Sequence, residues 1–186
     1  MINLFVGYYQ CGNPVRQKEL DHCLARNVTN KLLNAIVLET PERLKFNFFF
    51  NKINKITSDN DINIIANSDI YFDETIQLTA GMTHNDCYAL SRWDVTRAGT
   101  AAHMDRRDSQ DVWIVRGKVR NVFGDFYLGY RGCDNRIAYE FQKAGYVVRN
   151  PSKTIKTYHL HLSNIRSYNM SNVVSEPYLT VQPTIL

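Results

Sequence analysis

The stretch Asp61-Ile-Asn-Ile-Ile-Ala-Asn-Ser-Asp-Ile-Tyr-Phe-Asp73 decides the reading of this chain, because a short apolar run typical of a buried strand ends abruptly in carboxylates. Acids in that position stand at a strand's carboxyl end. In open α/β sheets that edge is where ligands bind, and a hard divalent cation needs only one or two carboxylates there when a substrate's phosphates supply the other oxygens. A metal-held diphosphate follows. The competing reading is that Asp69 and Asp73 merely end the strand and hydrogen-bond the turn.

Working outward, Ile2 to Tyr8 is apolar and β-branched enough for a buried strand, and Gly12-Asn13-Pro14 breaks it. Val15 to Val28 places Leu20, Leu24 and Val28 four apart, the spacing of an amphipathic helix. Asn34 to Glu39 is a second strand, and Thr40-Pro41 predicts a helix start that carries Leu44, Phe49, Ile53 and Ile56 toward the sheet. Strand, helix, strand, helix, strand is the pattern of a parallel sheet with crossover helices. Asp86 to Val95 reads as a further strand, Ala98 to Asp111 as a polar loop, and Asp134 to Ala144 as a helix closed by Gly145. Strands are expected at Tyr146 to Arg149 and Thr154 to His161. The polar tail from Ser163 to Leu186, with Pro177 and Pro183, is expected to wrap over the surface or meet a second subunit.

The 186 residues fit one domain with a substantial core, and 44% hydrophobic content is ordinary for a globular protein. The apolar cluster from Phe46 to Phe50 contains Asn47, is followed by Asn51, and falls far short of the ~20 residues that span a bilayer. MINLFVGYYQ lacks the basic and long apolar regions of a signal peptide, so a cytoplasmic protein is expected. Cys11, Cys23, Cys87 and Cys133 are irregularly spaced without a CxxC pair, which points to reduced residues in or near the core. The net charge is +4, yet Arg92, Arg97, Arg106, Arg107, Arg116, Lys118 and Arg120 crowd one stretch. That stretch suits phosphates or an anionic acceptor, or is a solvated loop, since Asp94, Asp105, Asp108 and Asp111 interleave with it.

Two further clusters carry chemistry. His159 and His161 are two apart, which on a strand puts both on one face. Imidazole suits manganese and other transition ions better than calcium. Tyr127-Leu-Gly-Tyr-Arg-Gly-Cys-Asp-Asn-Arg136 combines two glycines with polar residues just before a helix. Backbone approaches a ligand closely there, and Asp134 fits either a helix cap or a general base facing the sheet edge.

In order, NAIVLE, IIANSDIYFD, SQDVWIVRG, GCDNRIAYEFQKAGYVVRNPS and TYHLHLS resemble the catalytic domain of GT-A-fold glycosyltransferases, particularly the family 2-like group, over about Asn3 to Ser163. The resemblance implies an α/β GT-A-like domain at residues 1–163, with a mostly parallel central sheet flanked by helices. Residues 164–186 would form a tail packed on the domain or on a second subunit. Asn67-Ser68-Asp69 stands where the family has its DxD motif, so Asp69 would hold Mn²⁺ or Mg²⁺, joined by His161 or His159, with His161 favoured. The first motif position is Asn67 instead of Asp, and an amide still hydrogen-bonds a hydroxyl. Asp134 matches the acidic residue that serves as base in inverting members. Tyr8, Glu39, Asn67 and Ser68 would contact the nucleoside diphosphate sugar, and Asp111, Trp113, Asn135 and Arg136 the acceptor. Turn and core roles compete for Glu39 and Tyr8, and core packing for Trp113. The expected activity is metal-dependent transfer of a sugar from a nucleoside diphosphate sugar to an acceptor hydroxyl of a glycan or other acceptor, in a homo-oligomer or a monomer. The alternatives are a sugar nucleotidyltransferase, transfer to nucleic-acid bases, and a non-catalytic binding module on the same scaffold. Gly7-Tyr-Tyr-Gln-Cys-Gly12 is a poor imitation of a nucleotidyltransferase phosphate loop.

Overall fold

The computed structural model describes residues 1–165 and 171–186, so the part of the tail at 166–170 lies outside the described residues. The chain opens with β1 (Ile2–Tyr8), α1 (Pro14–Thr29), β2 (Asn34–Glu39), α2 (Phe46–Ile56) and β3 (Ile62–Ala66). β4 (Ile70–Phe72) and a 3-10 helix (Glu74–Gly81) lead to β5 (Asp86–Leu90), β6 (Trp93–Val95), β7 (Ala101–His103) and β8 (Val112–Arg116). Then come α3 (Cys133–Lys143), β9 (Val147–Arg149) and β10 (Thr157–His159). This is an α/β protein.

The central sheet has six strands in the order β2-β1-β3-β8-β5-β9. β8 runs antiparallel to both neighbours, β3 and β5, while the other pairings are parallel, so five strands share one direction. β3, β5 and most of β8 are buried on both faces, and their side chains alternate between two cores. Phe5, Ile65, Cys87, Ala89, Trp113 and Val115 pack with Phe46, Phe49, Phe50 and Ile53 of α2 and Ile137 and Phe141 of α3. Leu4, Val6, Ile64, Tyr88, Leu90, Val112 and Ile114 face the opposite core with Ile70, Phe72 and Ile76, and Leu24 of α1 packs against it.

The structure corrects several expected boundaries. The acidic stretch is not one strand. β3 ends at Ala66, the chain turns through residues 67–69, and β4 enters a second sheet of order β4-β10-β6-β7. Likewise Asp86 to Val95 breaks at Ser91-Arg92 and feeds both sheets, and part of the expected polar loop, Ala101–His103, completes the second one as β7. The strand expected from Thr154 to His161 is confined to Thr157–His159. α2 does not begin at Thr40-Pro41. Thr40 Oγ1 instead accepts from Glu42 N at 3.1 Å in a turn, and the helix starts at Phe46, where Phe46 N and Asn47 N donate to the carbonyls of Phe126 and Gly124. Packing fixes that start, since Phe46, Phe49, Phe50 and Ile53 form the buried i, i+3, i+4, i+7 face while Ile56 is exposed.

Cys23, Cys87 and Cys133 are buried free thiols and Cys11 is half-buried. No helix among the described residues is long and apolar enough to cross a membrane.

Candidate active site

A cavity of about 300 Å³ opens where the parallel strands end. The loops after the adjacent strands β1 and β3 lie side by side at this carboxyl edge, where ligands bind in open α/β sheets. Because β8 is antiparallel, its amino end lies at the same edge and brings Gln110 and Asp111 there. α3 starts beside them with Asp134 in its first turn. Gly132, at φ 77°, caps this helix in the left-handed region, and a side chain there would strike Tyr178 Oη and Val174 O of the C-terminal segment.

At one end of the cavity Asp69, His159 and His161 converge, with one ligand atom from each within 4.8 Å of the others. His159 Nδ1 donates to Asp94 Oδ1 at 2.7 Å and Nε2 to Asp69 Oδ2 at 3.2 Å. Burial disfavours the imidazolium, but the hydrogen bonds to Asp69 and Asp94 outweigh it and carry the His159 pKa up to about 9. Burial alone would raise the Asp69 carboxyl; His159 and the charge of Arg16 instead hold it well below the usual carboxylate range. His161 differs. Burial and then the charge of Arg16 lower its pKa, so the ring is neutral, and with Nε2–H directed at the Ile165 carbonyl at 2.8 Å its Nδ1 lone pair faces Asp69 Oδ2 at 4.0 Å. That tautomer leaves a lone pair that could take a metal ion, and Asp94 stands behind His159 where a carboxylate can orient the imidazole. One carboxylate and two imidazoles fit a borderline transition ion such as Mn²⁺ better than Ca²⁺.

A further part of the lining is built around Asp111. Asn67 Nδ2 donates to Asp111 Oδ1 at 2.7 Å and Arg92 Nη1 to its Oδ2 at 3.0 Å. Arg92 Nε also donates to Asp94 Oδ1 at 2.8 Å, so a continuous polar chain links Asp111 to Asp94, His159 and Asp69. The amide at position 67 has a reason here, since a carboxylate in its place would confront Asp111 at hydrogen-bond distance. Asp134 lines the same cavity and accepts from Asn135 N at 3.1 Å and Gln110 N at 3.3 Å. Burial, reinforced by the charge of Asp111, pushes its carboxyl up to about 6 despite those N–H groups.

The expected site residues divide. Asp69, His159, His161, Asn67, Ser68, Asp111 and Asp134 line the cavity, and Ser68 Oγ donates to Gly7 O at 2.7 Å, tying the two strand-end loops together. Both histidines turn toward Asp69, not one. Tyr8 and Glu39 do not line the cavity. Strand alternation brings Gly7 and Tyr9 to it and sends Tyr8 to α1, where its hydroxyl donates to Asp21 at 2.6 Å, while Glu39 pairs with Tyr8 in register at an exposed strand end. Trp113 is a core residue, 1% exposed and edge-on to Phe46, so it has no face for an acceptor. Asn135 donates to Asp108 O at 3.3 Å outside the cavity lining. Arg136 points to Glu140 at 2.8 Å and to the Ser175 and Glu176 carbonyls, holding the C-terminal segment.

Sequence reasoning missed Arg16, Gln110 and Arg131, and placed Arg92 only within a general basic stretch; all four line the cavity. That stretch does not form one surface. Arg106 pairs with Asp108, Arg116 binds the Ala80 and Met82 carbonyls, and Arg120 binds the His84 carbonyl. Comparison of the sequence with known protein families and with curated proteins finds no match in either.

Proposed function

We propose that this chain is a metal-dependent glycosyltransferase of GT-A-like architecture that moves a sugar from a nucleoside diphosphate sugar to an acceptor hydroxyl with inversion. The observation that carries the reading is the cavity itself, in whose lining Asp69, His159 and His161 converge and the up-shifted carboxyl of Asp134 also stands. Residues 1–163 are the catalytic unit. The tail folds back on it, and the hydrogen bonds from Val174 N to Arg131 O, Leu179 N to Asn135 O and Val181 N to Arg107 O support that division.

Asp69, His161 and His159 would hold Mn²⁺ or Mg²⁺, which when bound supplies Lewis-acid neutralisation of the departing diphosphate. Arg16 and Arg92 add positive charge in the same cavity. Asp134 removes the acceptor proton as the hydroxyl oxygen attacks the anomeric carbon and the bond to the diphosphate breaks. A carboxyl at about 6 suits the task, being mostly ionised at neutral pH yet more basic than an ordinary aspartate. Asn67 and Arg92 hold the Asp111 side chain in place by hydrogen bonds, and the charge of Asp111 helps hold the base at this value.

Thermal shift with Mn²⁺ against a panel of nucleoside diphosphate sugars tests the reading. At ligand one hundred times its Kd, native-state binding adds about 2.7 kcal/mol, or roughly 5–10 °C for a chain of this size. One nucleotide sugar is expected to give that shift with Mn²⁺ and to be slowly hydrolysed. A panel without any metal-dependent shift contradicts the proposal.

A further inference from the structure

Arg16 stands where a helix least favours a cation. It lies in the first turn of α1, a turn without an acidic residue, just behind the Asn13 cap, and it is 5% exposed. Positive charge there opposes the helix dipole, and burying it costs more unless it is paired. The pairing is extensive. Nη1 donates to Glu19 Oε2 at 2.8 Å and to the Leu160 carbonyl at 3.1 Å, while Nη2 donates to Asp69 Oδ2 at 2.5 Å. Glu19 is itself fixed by Ser163, whose N and Oγ donate to its two oxygens at 2.6 and 2.8 Å. The oxygen that Arg16 takes, Asp69 Oδ2, is the one that His159 and His161 face. A divalent cation bound by these three residues would have to contend with the guanidinium for that oxygen, and like charges repel strongly in a buried site.

We propose that Arg16 is the resident counter-cation of Asp69. A divalent cation displaces its contact with Asp69, and the released guanidinium, which already lines the cavity, takes a phosphate oxygen of the incoming diphosphate. Arg16 is thus a positioning residue that makes cation and diphosphate binding mutually reinforcing, an inference that rests on the metal-and-diphosphate reading above. A planar guanidinium matches phosphate geometry, and its weak hydration makes the move between two anionic partners inexpensive.

The test measures binding of Mn²⁺ alone, inorganic pyrophosphate alone, and each in the presence of the other, by titration calorimetry. The proteins are the unsubstituted chain, Arg16→Gln, and Arg16→Gln/Glu19→Gln, in which the amides replace the buried ion pair. Removing Arg16 is expected to tighten Mn²⁺ alone at least tenfold and to weaken pyrophosphate in the presence of Mn²⁺ at least tenfold. A purely structural arginine would move both affinities in the same, weaker direction, and that result overturns the proposal. So does the unsubstituted chain alone if its Mn²⁺ affinity is unchanged by pyrophosphate, whether or not the variants fold. Equal Mn²⁺ binding in all proteins removes the role of Arg16 and leaves the metal site standing. No Mn²⁺ binding in any of them removes both.

Discussion

Replacing Asp134 by Asn separates catalysis from stability, because the two effects run in opposite directions. The carboxyl is pushed up to about 6 in the folded chain against an ordinary 3.8, chiefly by burial and then by Asp111. Between those values the folded state holds a proton that the unfolded state has lost, so stability falls as pH rises through this window. From pH 5 to pH 7.5 the loss amounts to about 1.4 kcal/mol, and the Asn variant does not share it. Asn has one carbonyl oxygen for the two N–H groups of Asn135 and Gln110, an offset of about 1 kcal/mol that is the same at both pH values. Urea unfolding of both proteins at the two pH values therefore reads the ionisation directly, as a relative gain for the variant of about 1.4 kcal/mol. Turnover in the same variant is expected to drop by ~10² or more with donor affinity little changed, since the amide cannot accept the acceptor proton. Unchanged turnover would reduce Asp134 to a helix-end residue. A pH-independent stability difference would refute the raised pKa, and retention of anomeric configuration would refute single displacement.

Asp69→Asn should weaken Mn²⁺ binding by more than about a hundredfold, as removal of a direct ligand exceeds the effect of losing its supporting residues, and calorimetry checks it. With His159 carried up to about 9, a metal must displace its proton below that pH, so Mn²⁺ affinity should rise nearly tenfold per unit from pH 6 to 8, with proton release seen as a buffer-dependent enthalpy. Trp113→Ala should cost about 3–5 kcal/mol in urea unfolding and leave no selective defect in acceptor binding, because the ring is core and not surface.

The parts of the fold legible in the sequence are those set by local pattern. β1, α1, β2 and β3 announce themselves through apolar runs, the Asn13-Pro14 cap and four-residue spacing, and the carboxylate after β3 lies where that reading expects a ligand site. The second sheet was illegible for a physical reason. Its strands are three residues long, too short for periodicity, and exist through pairings such as Tyr158 with Tyr71 that join distant segments. The site divides along the same line. Asp69 and Asp134 are marked by their neighbours in sequence, whereas Arg16 and Arg92 acquire their roles only when the chain closes on itself. Arg16 did leave a trace, a cation in the first turn of a capped helix where the dipole disfavours it. Trp113 misled because an aromatic beside Asp111 on a strand looks the same whether its face meets a ligand or α2.

The central claim is that Asp69 and the two histidines hold a divalent cation beside a diphosphate. Anomalous diffraction at the manganese edge, from crystals grown with Mn²⁺ and a nucleoside diphosphate, tests it most directly. The account predicts a peak within about 2–2.5 Å of Asp69 and at least one of His159 and His161, with the diphosphate completing the coordination. A manganese peak elsewhere, or a diphosphate bound in the cavity with none beside Asp69, would contradict it.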